Sequence, residues 1–500
     1  MHEEEGGPHE SCIARARCLA IATIVAITVS GLAACISTPP TPTAPDYGLR
    51  TTLTPTGFLL EWNAPEGATP DAVYDVQSKV ASGAWVDEPI ATSTSAEVAG
   101  VPRTLHSFRV RLSSSSNWSK EVSATFVVPV LPVLRIDTAG RAPIVDKENY
   151  LQATIVLDPN GSGLPAHSGT TEIKGRGNTT WTFPKKPYRL KLTASTALAG
   201  MPSSKHWVLL ANWMDSSQLR TSTVFDIAST MMTGLAWTPK YRHVEVVLNG
   251  AYHGVYMLVE QVRGASTRVP ITAMTPSDNE GEALSGGYLL EVDEQLEANA
   301  EQGQRTTRNV PIVVKEPDPA TPQQMSYAQS YVQAFEDALF TKPFDDPDGY
   351  RKYLDVDSLI DFYLVHELAK NQDTFGASTH FWKERSDPLL HFGPVWDFDV
   401  SMGNAPSSWL PNGWYTRTRG AWLPKLFEDP SFEAQVAARW TQLLPQLQTI
   451  PTSIRANGVA LQEAVANDLT RWPREALGTP EWIADWMQDH IDWISEQPGY

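Results

Sequence analysis

The segment Gly393–Asn404 reads GPVWDFDVSMGN and sets two carboxylates, Asp397 and Asp399, in an apolar run of Val395, Trp396, Phe398 and Val400. Burying one carboxylate costs several kcal/mol unless a cation or donors compensate it. An apolar strand carrying D-F-D is therefore a reason to look for a metal. Upstream, at the end of a helix-like run, Asn371-Gln372-Asp373 supplies a second acidic point. An Asp near an Asn in a loop, followed about 25 residues later by an Asp on an apolar strand, is the acidic layout of a phosphotransfer site.

Each of these residues has a plainer reading. Asp373 is the residue type that caps a turn. Asp397 and Asp399 flank Phe398, so on a strand both face one side, where they could hold a structural Ca2+ or pair as glycosidase carboxylates. His366 and Glu367 sit in the apolar helix-like run FYLVHELAK, where a buried, paired role is expected. His243, His253 and His380 are scattered, which argues against zinc.

A third segment, EIKGRGNTTWTFPKKPYRLKL (172–192), combines Gly175, Arg176 and Gly177 with polar Asn178 and a basic strand. Glycines let backbone N–H groups approach an anion, and Lys or Arg neutralises phosphate. Arg189 and Lys191 share one strand face, with Tyr188, Leu190 and Leu192 on the other. A lone G-x-G is weak, and an ordinary hairpin with an exposed basic face explains this segment as well.

The elements that must position these groups follow from periodicity. From about residue 130, strand-like runs come first (GTTEIKGR, KPYRLKL, KHWVLLAN, HVEVVLNG, AYHGVYMLVEQV, GGYLLEVD). Asn249-Gly250 marks a hairpin. Helix-like runs follow: SQLRTSTVFDIASTMM, TPQQMSYAQSYVQAFEDALF, DVDSLIDFYLVHELAK, then segments near 431–447, 452–472 and 479–496. Strands first and helices later predict a bilobal α+β domain over 130–500, a sheet lobe followed by a helical lobe. Residues 47–128 carry five short alternating runs with turns between them and predict a small all-β sandwich. Trp62 in LLEWNAP, Tyr74-Asp75-Val76-Gln77 and Ser107-Phe108-Arg109-Val110 resemble a fibronectin type III domain, with His106 where that family has Tyr. A spacer or interaction module is expected there.

KGRGNTTWTFPKKPYRLKL, HWVLLANWMDSSQLR, LNGAYHGVYMLVEQV, ELAKNQD and FGPVWDFDVSMGN together resemble, in order, the spore-coat CotH kinase family. The resemblance implies a protein-kinase-like fold and transfer of phosphate from ATP to Ser or Thr of proteins. It implies that Asp373 is the catalytic Asp, and that Asp397 holds Mg2+ (or Mn2+) across the phosphates. Asp399 is a second metal contact, and Asn371 helps hold metal or the loop. Gly175, Arg176, Gly177 and Asn178 cover the phosphates. The basic partner is Lys186, Arg189 or Lys191, with Lys191 preferred. Glu260, in Val259-Glu260-Gln261, lies where a lobe-connecting hinge offers backbone to adenine.

Charge and the first residues bound the setting. A net charge of -18 over 500 residues, with no Lys/Arg block, argues against nucleic-acid binding. Residues 18–34 are apolar, follow Arg15 and Arg17, and end in Leu32-Ala33-Ala34-Cys35. That is a secretory pattern and resembles a bacterial lipobox, so residues 1–34 are expected to be a signal and Cys35 the lipidated anchor. Residues 36–46 read as a Ser/Thr/Pro tether within the span 35–46. All three cysteines fall at or before Cys35, so a body lipidated there holds no disulfide. The expectation is an extracytoplasmic, membrane-tethered kinase with a protein substrate at the cell surface. Its rivals are a non-catalytic surface scaffold and a carbohydrate-active enzyme built on Asp397 and Asp399. Eight of the 17 Trp residues lie after residue 405. Trp482, Trp486 and Trp493 recur at helical spacing and read as core. Trp409 and Trp414 sit in a loop, where an exposed ring could touch substrate.

Overall fold

The computed structural model describes residues 43–475 and 477–500. The apolar run, Cys35 and most of the tether lie outside the described residues. Pro45–Tyr500 forms one compact unit of mixed α and β structure, and no helix among the described residues is long and apolar enough to cross a membrane.

The first seven strands make two antiparallel sheets. One contains β1 (Arg50–Leu53), β2 (Gly57–Glu61) and β5 (Ser95–Ala99). The other contains β3 (Tyr74–Val80), β4 (Val86–Asp87), β6 (Thr104–Leu112) and β7 (Val122–Phe126). The alternating runs of the sequence bury every second side chain, among them Tyr74, Val76, Phe108 and Val110, in a common core with Phe58 and Trp62.

That core does not stop at the sandwich. It also contains Val133, Val247 and Tyr252, which belong to the next layer, a closed seven-stranded barrel. Its strands are β8 (Val133–Thr138), β9 (Leu151–Asp158), β10 (His167–Gly175), β11 (Tyr188–Thr196), β12 (Ser204–Leu210), β13 (Tyr241–Leu248) and β14 (Ala251–Glu260). They close in the order β10-β11-β12-β14-β13-β8-β9. Asn249 and Gly250 take left-handed φ of 51° and 84° and turn β13 into β14, as the Asn-Gly pair requires. Glu245, fully buried, accepts from Val130 N at 2.5 Å, Leu131 N at 2.9 Å, Tyr252 Oη at 2.8 Å and Asn467 Nδ2 at 3.0 Å. The sandwich is therefore welded to the barrel. The sequence held no signal for this contact, because an interface between two β layers looks like any buried strand.

The remaining strands form a second sheet in the order β16-β17-β15-β18-β19: β15 (Tyr288–Val292), β16 (Gly303–Arg305), β17 (Pro311–Glu316), β18 (Thr379–Lys383) and β19 (His391–Phe392). Helices α1 (Arg220–Met231), α2 (Gly281–Leu284), α3 (Pro322–Thr341), α4 (Val356–Ala369), α5 (Trp422–Leu426), α6 (Pro430–Leu447), α7 (Ile450–Arg471) and α8 (Pro480–Ser495) complete the unit. The sheet-then-helix order is thus interrupted, since β18 and β19 follow α4. Thr321 and Gln324 form a reciprocal capping box at the start of α3, and Asp355 caps α4. One core joins Val208, Met257 and Val259 of the barrel to Tyr288, Leu290 and Val292 of β15 and to α4.

A pH-dependent brace sits below this core. His391 donates Nδ1 to Asp355 (2.7 Å) and Nε2 to Asp387 (2.8 Å) and stacks on Trp382 at 4.1 Å. Burial works against its charge, but the two carboxylates prevail and raise its pKa above the ordinary histidine value. A raised folded-state pKa gives stability that is fully present below the unfolded value of about 6.5 and is lost as pH rises through the folded value. His391→Gln is expected to cost about 0.5–1 kcal/mol at pH 5.5, allowing for solvent screening, and less at pH 9. Urea midpoints at the two pH values measure it.

Candidate active site

The helix α4 delivers the first half of the site. Every side chain from Ser358 to Ala369 is buried, so its end is fixed in place. Lys370 takes a left-handed φ of 45° and its N–H closes the helix on Glu367 O and His366 O. The chain then turns into Asn371. Asn371 Nδ2 donates to Asp397 O at 3.1 Å, and Asp373 N donates to Asn371 Oδ1 at 3.3 Å. Gln372 N reaches Val400 O at 3.4 Å. The amide of Asn371 thus joins the loop to the acidic segment.

The second half follows β19. The expected strand through D-F-D is absent: residues 393–398 are irregular, and Asp397 has a left-handed φ of 66°, a conformation Asp adopts more readily than most residues. What survives is the alternation in burial. Trp396 (6% exposed) and Phe398 (0%) anchor the segment, while Asp397 and Asp399 are only half-buried. Arg220, fully buried, holds the following turn by donating to Ser401 O at 3.0 Å and Met402 O at 3.3 Å while pairing with Asp215 at 2.7 Å.

These carboxylates repel one another. Burial pushes Asp373 up to about 6, with Asp397 adding to the rise and Arg419 opposing it. Burial also raises Asp397, against the pull of the Arg176 guanidinium and with Glu291 adding to it. Asp399 is pushed well above the carboxylate range by burial, then by Asp397, Asp215 and Asp373. Oxygen-only donor sets of this kind are the ones hard divalent cations take.

Two further carboxylates belong here and were not singled out from the sequence. Glu291 and Asp293, on and just after β15, neighbour Asp397 and Asp373 respectively. Burial, with Glu291 and Glu301 nearby, pushes Asp293 up to about 6. The signal was present, since YLLEVD repeats the logic of D-F-D. Oxygens of Glu291, Asp293 and Glu301 lie within 4.8 Å of one another. Lys315 Nζ already stands 3.2 Å from Glu291 and 3.1 Å from Glu301, so this trio carries its own cation.

The glycine segment divides. Arg176 lies near enough to Asp397 and Glu291 to feel their charge, without an ion pair among the described residues; it stacks over Trp396 (5.6 Å), and Arg189 lies close to it. The Nε atoms of both are buried without a partner. The backbone cradle expected of this loop is partly committed, because Gly175 N donates to Asp146 O and Arg176 N to Pro187 O. Gly175 is needed because a Cβ would stand 2.4 Å from the Trp181 indole, and Gly177 because its φ is 83°. Asn178 is exposed.

Three other candidates stand elsewhere. Lys186 Nζ is tied to Trp181 O at 2.6 Å within its own loop. The preferred Lys191 points outward to Glu172 at 3.0 Å, so among the basic candidates Arg189 is the one near Arg176. Strand alternation placed Arg189 and Lys191 on one face but could not say which end of that face meets the cleft. Lys191→Ala is expected to change a transfer rate less than about twofold and stability by under about 1 kcal/mol, whereas Arg189→Ala lowers the rate tenfold or more. Rate measurements on both variants decide this. Glu260 does not present a free hinge: its N–H donates to Lys240 O, its carboxylate accepts from Lys240 N at 3.0 Å, and Arg268 Nη1 takes Gln261 O at 2.6 Å. The missed basic residue is Lys185, fully buried and paired with Asp468 of α7 at 2.8 Å. Trp409 is 63% exposed, while Trp414 packs against Trp493 and Tyr500.

A family model described as CotH kinase protein matches residues 173–495, nearly two thirds of the chain, and the protein belongs to that family. No match to a curated protein was found. Membership brings kinase-type function and, with it, ATP and a divalent cation. The match takes in the end of β10, strands β11–β14, the second sheet and the acidic segments; the sandwich, β8, β9 and most of β10 lie before it.

Proposed function

We propose that the protein is an extracytoplasmic, lipid-anchored kinase that transfers the γ-phosphoryl group of ATP to Ser or Thr of a protein at the cell surface. In this reading Cys35 is the anchor, residues 47–128 form a fibronectin type III-like sandwich, and residues 130–500 form a bilobal kinase-like unit with the barrel as one lobe. The observation that carries the reading is the juxtaposition of Asp373 with Asp397 through the bridging amide of Asn371.

Asp373 orients the acceptor hydroxyl and takes its proton as the new P–O bond forms, and the bridging oxygen leaves with ADP. Arg176 and Arg189 face the phosphates as fixed cations. Asp397 and Asp399 are the carboxylates that would hold Mg2+ or Mn2+, which when bound neutralises phosphate charge and aligns the transferring group. The half-burial of these residues limits water at the reacting atoms.

Thermal denaturation with three additions discriminates the readings. ATP with Mg2+ is expected to raise the melting temperature by several degrees, and neither component alone to match it. A shift with oligosaccharides but not nucleotide favours a carbohydrate enzyme on Asp397 and Asp399. No shift with either favours a surface scaffold.

A further inference from the structure

His366 lies in α4, seven residues before Asp373, and is 1% exposed. It touches both halves of the site. On one side its Nδ1 stands 2.8 Å from Thr374 Oγ1, the residue after Asp373. Thr374 Oγ1 donates to Asn371 O at 2.9 Å, and Asn371 Nδ2 lies 3.4 Å from the same His366 Nδ1, so this one ring nitrogen meets both residues of the loop. On the other side the imidazole packs 4.7 Å from the ring of Phe398, the residue between Asp397 and Asp399, and 4.2 Å from Phe362. Its Nε2 is buried and has no partner among the described residues. A leucine or phenylalanine would fill this apolar slot without leaving a polar atom stranded, so core packing alone does not account for the residue type.

We propose that His366 is a positioning residue: one imidazole fixes the distance between the Asp373 loop and the Asp397–Asp399 segment, by a hydrogen bond to the first and ring contact with the second. The proposal rests on the phosphotransfer reading above. A base must hold its proton acceptor within a fraction of an ångström of the working position. Here that precision is transmitted by the Nδ1–Thr374–Asn371 chain, whose last member also binds the backbone of Asp397.

The full chain, wild type and with His366→Phe, Thr374→Val or Thr374→Ser, tests this in two assays: Mg2+ titration of the ATP-dependent thermal shift, and kcat with KM for ATP. His366→Phe keeps the ring contacts and loses the hydrogen bond. It is expected to lower kcat at least tenfold with KM for ATP within threefold. It is also expected to raise the Mg2+ midpoint at least threefold. Thr374→Val is expected to do the same, and Thr374→Ser to restore both. If His366→Phe and Thr374→Val shift only the melting temperature and keep kcat and the Mg2+ midpoint, the positioning role is overturned and the histidine is structural. A wild-type protein that responds to neither ATP nor Mg2+ overturns the phosphotransfer reading itself, and the proposal with it.

Discussion

Asp373→Asn is expected to lower phosphotransfer about 10²–10⁴-fold, and Asp397→Ala to reduce it to background, with both variants folded. The reason is local. Asp373 is the one carboxylate on the loop after α4, and Asp397 is the carboxylate whose backbone Asn371 grips. Neither holds a secondary-structure element in place, so their loss removes chemistry without removing packing. Asp399 gives a sharper contrast. Burial works against its charge, and its carboxylate neighbours Asp397, Asp215 and Asp373 add to that. Asp399→Asn is therefore expected to stabilise the metal-free protein by about 0.5–2 kcal/mol while weakening Mg2+ binding. A gain in melting temperature together with a loss of metal affinity is the signature of a site held at a cost to the fold. Scanning calorimetry in EDTA and Mg2+ titration measure the two effects.

Removing the sandwich is expected to be the most damaging change to stability. A chain that starts at residue 130 exposes Val133, Val247 and Tyr252, each now 3% exposed or less. At about 1.5–3 kcal/mol for each large apolar side chain, the loss is about 5 kcal/mol or more, comparable to the net stability of a domain. Arg103 of the sandwich also pairs with Glu463 and Asn467 of α7, and the neighbouring Asp468 holds Lys185 and Val255 N. The shortened chain is expected to aggregate or to unfold without a cooperative transition. Light scattering and circular-dichroism melts of 43–500 against 130–500 test this, and equal melting temperatures would contradict it.

Much of this fold was written in local patterns. Helices α3, α4, α6, α7 and α8 lie within a few residues of their periodic runs, because caps such as Thr321 and Asp355 and turns such as Asn249-Gly250 are local signals. The acidic residues stood out for a different reason: a charge in an apolar run is anomalous whatever the fold. Glu291 and Asp293 show the same anomaly at the end of the apolar run YLLEVD. Other features depend on contacts between distant segments. Nothing near Gly175 announces that Trp181 packs on it, or that its N–H is already taken by Asp146. Lys185, Lys186, Arg189 and Lys191 are equivalent in charge, and only the closure of the barrel separates a buried clamp, a loop tie, a neighbour of Arg176 and a surface ion pair. The left-handed turn at Asp397 is of the same kind, since the surrounding packing imposes it.

The most direct test is the position of a bound divalent ion. Crystals grown with Mn2+ and a non-hydrolysable ATP analogue should show an anomalous peak in coordination contact with Asp397, with the γ-phosphate lying between that ion and Asp373. A peak confined to Glu291, Asp293 and Glu301, or a nucleotide bound away from Asp373, would contradict the account.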